Sequence, residues 1–173
     1  MRKFLAALVF AALIGAPAAA QDEPVFDPGP YGGGAVYLND AHREANDKWG
    51  YAGAYRAGDY VYLSGVVAGA WGGEPMDDAA FRENLRQVFK RADDVLGAAD
   101  ASLEDVVEII SFHVWGSPMF SGDKRAHMEA LAEVKREFMP APHPAWSAIG
   151  VSELLPNNGV VELRMVAYAP LAD

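Results

Sequence analysis

The chain contains no cysteine, so neither a disulfide framework nor thiolate chemistry is available to it, and there is no thiol that could carry a lipid anchor. Basic residues are scarce: 14 Lys and Arg stand against 24 Asp and Glu, for a formal net charge of −10. An acidic surface repels phosphate backbones, and no basic stripe offsets it, which argues against nucleic acid as a partner. Beyond solubility the charge identifies no substrate. Outside the first twenty residues there is no apolar run long enough to cross a bilayer. GxGxxG, the P-loop and GxSxG are all missing. Gly32-Gly33-Gly34 precedes no helical pattern and so makes no phosphate cradle. The four histidines, His42, His113, His127 and His143, show neither HExxH nor any paired ligand spacing, and no metal site is expected.

What is present begins with a processing signal. Arg2 and Lys3 precede an apolar run from Phe4 to Ile14, and Ala18-Ala19-Ala20 gives a small-residue cleavage pattern. Residues 1–20 therefore read as a secretory signal peptide, which places the mature chain in the bacterial periplasm or outside the cell, without a membrane anchor. Residues 21–48 hold Pro24, Pro28, Pro30 and the glycine run. They read as an extended leader, with a short edge strand possible at Ala35 to Leu38. The remainder, 49–173, has the composition of one ordinary globular domain: 51% of the whole chain is hydrophobic and 22% charged.

Within the domain, Ala54-Tyr55-Arg56 and Tyr60 to Gly65 flank a Gly/Asp turn and predict a hairpin. Phe81, Leu85, Val88, Phe89, Ala92, Val95 and Leu96 recur at helical spacing behind a cap at Asp77 or Asp78, with Gly97 as the stop. Arg82, Glu83, Arg86, Lys90 and Asp93 fall on the wet side. Ser102 to Asp105 is a capped turn, and Val106 to Trp115 a strand. A second helix from about Gly122 to Phe138 buries Met128, Leu131, Val134 and Phe138, and ends at Met139-Pro140. Trp146 to Val151 and Val160 to Tyr168 are strands around a turn at Pro156 to Gly159. The order β-β-α-β-α-β-β predicts an α+β, two-layer sandwich: a mixed sheet with two helices on one face.

Two polar positions stand out. His113 shares a strand face with Ser111 and is a candidate for lining a pocket, whereas His127 and His143 read as surface. Glu162 lies in Val160-Val161-Glu162-Leu163-Arg164-Met165-Val166, where alternation puts it on the same face as Arg164. It is either a solvent-facing partner of Arg164 or a carboxylate in a cleft that orients an attacking water.

Gly58-Asp59-Tyr60-Val61-Tyr62-Leu63-Ser64-Gly65, then Leu96-Gly97-Ala98-Ala99-Asp100-Ala101-Ser102-Leu103-Glu104-Asp105-Val106-Val107, then Pro144-Ala145-Trp146-Ser147 with Leu155-Pro156 and Val161-Glu162-Leu163, resemble in order and spacing the segments of the Rid (RidA/YjgF) family. The likeness runs from about Trp49 to Ala169. It implies a chorismate-mutase-like homotrimer with clefts between subunits. Its catalytic members hydrolyse enamine or imine intermediates to a carbonyl product and ammonia without a cofactor. The resemblance carries the water-placing glutamate onto Glu162, the pocket serine and its neighbour onto Ser64 and Gly65, and the early tyrosine onto Tyr51. Ser147 and Ala148 would border the cleft. The family's carboxylate-binding arginine, however, falls on Trp146, which has no charge and a single N–H donor.

Three readings follow. The first is an imine or enamine deaminase of altered specificity, with Glu162 as the catalytic residue and Arg56 or Arg164 as candidates to replace the arginine. The alternative is a non-catalytic periplasmic trimer that binds a small molecule, with Trp146 as an aromatic wall. Ribonuclease action, sometimes attributed to the family, fits the acidic charge least.

Overall fold

The protein is described by a computed structural model that covers residues 23–30 and 32–171. The expected signal peptide lies outside the described residues. The elements follow one another as β1 (Val25–Gly29), β2 (Gly33–Tyr37), α1 (Asp40–Asp47), β3 (Ala54–Ala57), β4 (Tyr60–Gly69), α2 (Asp78–Gly97), β5 (Val106–His113), α3 (Lys124–Phe138), β6 (Ala145–Gly150) and β7 (Gly159–Tyr168). A short 3₁₀ turn, Leu103–Asp105, leads into β5. The seven strands form one sheet in the order β1-β2-β3-β4-β7-β5-β6, with β5 and β6 parallel and the other pairs antiparallel. Among the described residues no helix is long and apolar enough to cross a membrane.

The α+β sandwich expected from sequence is present, with two strands and a helix more than the periodicity revealed. Within 21–48, expected as an extended leader, the described residues form β1, β2 and α1, and the possible edge strand at Ala35 to Leu38 is β2. β1 and β2 pair as a hairpin and continue the sheet past β3, so β2 is an interior strand and β1 the edge. Pro28 is compatible with that edge position because it has no ladder N–H to contribute. α1 starts at Asn39, whose side chain accepts from the His42 N–H. Its only buried residue is Asn46, so the hydrophobic periodicity that announces other helices is missing here.

α2 begins where the sequence predicts. The Asp77 side chain accepts from the Ala80 N–H at 2.8 Å, and the seven apolar residues of the predicted stripe are all buried. α3 is capped in the same way by Asp123, through the Ala126 N–H. The two helices lie side by side on one face of the sheet. Arg86 on the wet side of α2 donates twice to Glu137 of α3, at 2.7 and 2.8 Å, and so ties the pair together. His127 is not on the surface: only 2% of it is accessible. It stands at 127 in the series 127, 131, 134, 138, the same helical stripe as Leu131, Val134 and Phe138, and its ring meets Phe81 and Phe120 edge-on.

Candidate active site

Directly paired residues of neighbouring strands share a face of the sheet. Leu163 and Met165 of β7 are buried beneath the helices; Ser111 lies opposite Leu163, and Ile109 opposite Met165. Trp146 pairs with Ile109 and Ala148 with Ser111, so both face the helices. Glu162 pairs with Phe112 of β5 and Val67 of β4, which puts it on the face without α2 and α3. Trp146 and Glu162 therefore point to opposite layers of the protomer.

The helix side of that division is a closed hydrogen-bond chain. The Trp146 Nε1–H donates to Ser111 Oγ at 2.8 Å. Ser111 Oγ meets His113 Nε2 at 2.7 Å, and His113 Nδ1 meets His127 Nε2 at 3.1 Å. His113 is fully buried and stacks on Trp115, so it belongs to the core rather than to a pocket wall. Burial holds both imidazoles well below their usual range, to about 3 for His113, with the charge of His127 as a secondary cause, and to about 4 for His127. Lys135, also buried, lies over the Trp146 ring.

Arg56 likewise belongs to the scaffold. It is 4% exposed, and its five N–H groups reach the carbonyls of Gly58, Ala99, Asp100 and Ala169. All its donors are spent on backbone, joining the β3–β4 turn, the end of α2 and the chain after β7. Arg164 faces the same side as Glu162 but makes no ion pair with it among the described residues.

The other side holds the candidate site. Between Leu63 and Val66 of β4 the partner strand advances only from Met165 to Leu163, so Ser64 and Gly65 together oppose Arg164. This bulge swings Val67 onto the Glu162 face. A Cβ on Gly65 would lie 1.7 Å from Glu162 Oε1, so glycine is what lets the carboxylate rest on the β4 backbone. Ser64 donates its hydroxyl to the Ala52 carbonyl at 2.7 Å, which leaves its oxygen lone pairs as acceptors. Tyr51 arrives from the turn after α1, where Gly50 takes a φ of +70°.

Tyr51, Ser64, Gly65 and Glu162 line one cavity of about 480 Å³. Trp49, Val67, Leu155 and Pro156 complete the wall, and sequence reasoning passed over all four as site residues. Exposed apolar side chains at the rim, Trp49 and Leu155, are a signal that only a structure makes interpretable. Glu162 is half-buried, and burial raises its pKa above the ordinary carboxylate value. Ser147 and Ala148 are on the exposed edge strand β6 and do not line this cavity. Among the described residues no cluster of three His, Asp or Glu could hold a metal ion.

Residues 44–169 match the family model described as Endoribonuclease L-PSP. The chain is 31% identical over 121 residues to the RutC family protein YjgH of Escherichia coli, covering 69% of this chain and 83% of that one. It is also 31% identical over 116 residues to the 2-iminobutanoate/2-iminopropanoate deaminase of Dermatophagoides farinae, covering 67% of this chain and 83% of that one. Among solved structures it superposes on protein YJGH with a TM-score of 0.57 at 28% identity, covering 73% of this chain and 88% of the other. It superposes on RidA from the Antarctic bacterium Psychrobacter with a TM-score of 0.54 at 29% identity, covering 69% and 88%. With most of its length matched by one family model, and with relatives that share both its sequence and its fold, the chain belongs to the Rid (YjgF) family.

Proposed function

We propose that this protein hydrolyses an imine or enamine to a carbonyl compound and ammonia, with Glu162 as the base that positions the water. The observation that carries this reading is the half-buried Glu162 carboxylate, its pKa raised by burial, resting on Gly65 in a cavity whose walls, among the described residues, hold no Lys or Arg. A carboxylate of that kind is a better base toward water than an exposed one. The substrate reacts as its iminium, the nitrogen carrying a proton taken from solvent: a water oxygen bonds to the C=N carbon, the π pair moves onto nitrogen, and Glu162 takes the water proton. The resulting carbinolamine loses its C–N bond as Glu162 returns the proton to nitrogen. The hydroxyl proton then leaves, releasing carbonyl product and ammonia. The Ser64 lone pairs accept an N–H of the substrate, and Tyr51 closes the side of the cavity. A relative named 2-iminobutanoate/2-iminopropanoate deaminase supports the same chemistry.

Trp146 is given no part in binding, because it faces the helix layer. The cavity is completed, in this proposal, by neighbouring copies of the chain in a homotrimer, with β6, carrying Ser147 and Ala148, near the contact. Glu162→Gln should lower ammonia release from freshly generated 2-iminobutanoate or 2-iminopropanoate by roughly 10²–10⁴-fold. Turnover unchanged in that variant would remove the proposed mechanism. The second reading, a binding protein without turnover, draws on the exposed Trp49 at the cavity rim. Under it, the wild-type chain would show quenching of tryptophan emission by a ligand and no ammonia release from any imine offered.

A further inference from the structure

β3 runs alongside β4 only from Tyr60 to Leu63. The Ser64 N–H still reaches the Gly53 carbonyl, and the Gly69 N–H is taken up by the Asn84 side chain of α2. Between those two points the β4 edge has no neighbouring strand, and α2 stands beside it. Two further cavities open there, of about 190 and 290 Å³, and Arg91 of α2 lines both. The smaller shares Tyr51, Ser64, Gly65 and Val67 with the Glu162 cavity. The cavities thus adjoin as a groove around the β4 edge at residues 64–67, where Glu162 lines the cavity on one side and Arg91 lines the two on the other.

Arg91 is exposed and makes no ion pair or side-chain hydrogen bond among the described residues; Arg136 and Arg164 have none either but line none of these cavities, while Arg43, Arg82, Arg86 and Arg125 are paired and Arg56 is saturated. Asn84, on the same face of α2, turns its oxygen to the Gly69 N–H, which leaves its amide hydrogens for the cavity. The charge of Arg91 is felt inside the groove: the pKa of His42 is lowered chiefly by burial and in part by Arg91. On a chain of net charge −10, an anion is held only where a cation is close at hand.

We infer that Arg91 is the anion anchor of this groove and that its ligand is a carboxylate, held at the α2 end so that its reactive carbon lies toward Glu162. This rests on the imine-hydrolysis reading only for the orientation of the ligand, not for its charge. Arg91 is then a specificity residue rather than part of the proton-transfer step.

The test is titration of the full-length protein with 2-oxobutanoate, the stable keto analogue, and with uncharged 2-butanone, followed by calorimetry. Arg91→Gln should weaken 2-oxobutanoate binding by roughly ten- to a hundredfold, the range for loss of a charge-assisted hydrogen bond, and should leave 2-butanone unaffected. Lys48→Gln, which removes the cation over Trp49, should change neither. In turnover, Arg91→Gln should raise KM with little change in kcat. Equal binding of 2-oxobutanoate by wild type and Arg91→Gln, or no binding by wild type, overturns the assignment. Loss of binding in Arg91→Gln from a protein that releases no ammonia would keep the anchor and remove the hydrolytic reading.

Discussion

Gly65 and Glu162 are coupled more tightly than any other two residues of the site, because the acid's Oε1 occupies the space a Cβ on Gly65 would need. Gly65→Ala forces the carboxylate to swing away, since a side chain gives more cheaply than a strand backbone. The predicted outcome is a fall in kcat of about 10²-fold with the fold retained, read by ammonia release alongside circular dichroism. The sign of the pH effect at Glu162 follows from its raised pKa. As a base it works deprotonated, so activity is lost as pH falls, and the acid limb of kcat/KM sits above the ordinary carboxylate pKa. A strand glycine next to a serine is visible in the sequence as a sign of a bulge or a close backbone approach, and here it is both. Which side chain makes the approach is settled by the pairing of β4 with β7.

At the scale of elements, β6 is anchored to β5 and α3 through the chain Trp146–Ser111–His113–His127. Trp146→Arg would give up the bond to Ser111 and set a second cation beside Lys135, which already lies over the indole. The variant should be less stable by about 2 kcal/mol in chemical unfolding and should gain no imino-acid hydrolysis, because its side chain starts on the face away from Glu162. The two histidines make stability depend on acid. Their pKa values are lowered from the ordinary 6.5 to about 3 and about 4 by folding, so below 6.5 the unfolded chain binds more protons than the native one. Their contribution is complete above pH 6.5 and declines as pH falls toward 4. His127→Gln should flatten that decline by about 2–3 kcal/mol between pH 7 and pH 4.5, measured as urea unfolding free energies at the two values. The series 127, 131, 134, 138 was open to a reader of the sequence. What hid His127 was its chemistry, since histidine is an uncommon occupant of a core stripe and its partner His113 lies on another element.

On the scale of the whole molecule, one sheet face carries α2 and α3, while the other presents Tyr60, Tyr62, Tyr168 and Ile149 to solvent. Tyr60 and Tyr168 pair across β4 and β7 with ring centroids 5.2 Å apart, so the exposed aromatics form a contiguous patch rather than isolated residues. Under the proposed trimer this face is where copies meet. Sedimentation equilibrium should return three times the mass of one chain, and Tyr60→Glu, whose ring meets both Tyr62 and Tyr168, should shift the mass toward that of a single chain. A monomeric wild type would leave the cavity of Glu162 as it stands in one protomer.

Local pattern was enough to determine α2 and its cap, α3 and the five strands from Ala54 onward, because each is written in neighbouring residues or in a period of two or 3.6, and Glu162 stands out within its own strand, whereas Tyr51, Ser64 and Gly65 come only from the resemblance to the Rid family. Only the tertiary structure decided that the glycine- and proline-rich segment before α1 becomes two strands, since β1 and β2 are stabilised by pairing rather than by an apolar period of their own. It decided as well that Trp146 and Glu162, sixteen residues apart on elements separated by β5, face opposite layers. Face is a matter of register, and a one-residue bulge such as that at Ser64–Gly65 reverses it for everything downstream. A linear reading counts residues along one strand; it has no access to the partner strand against which the count is made.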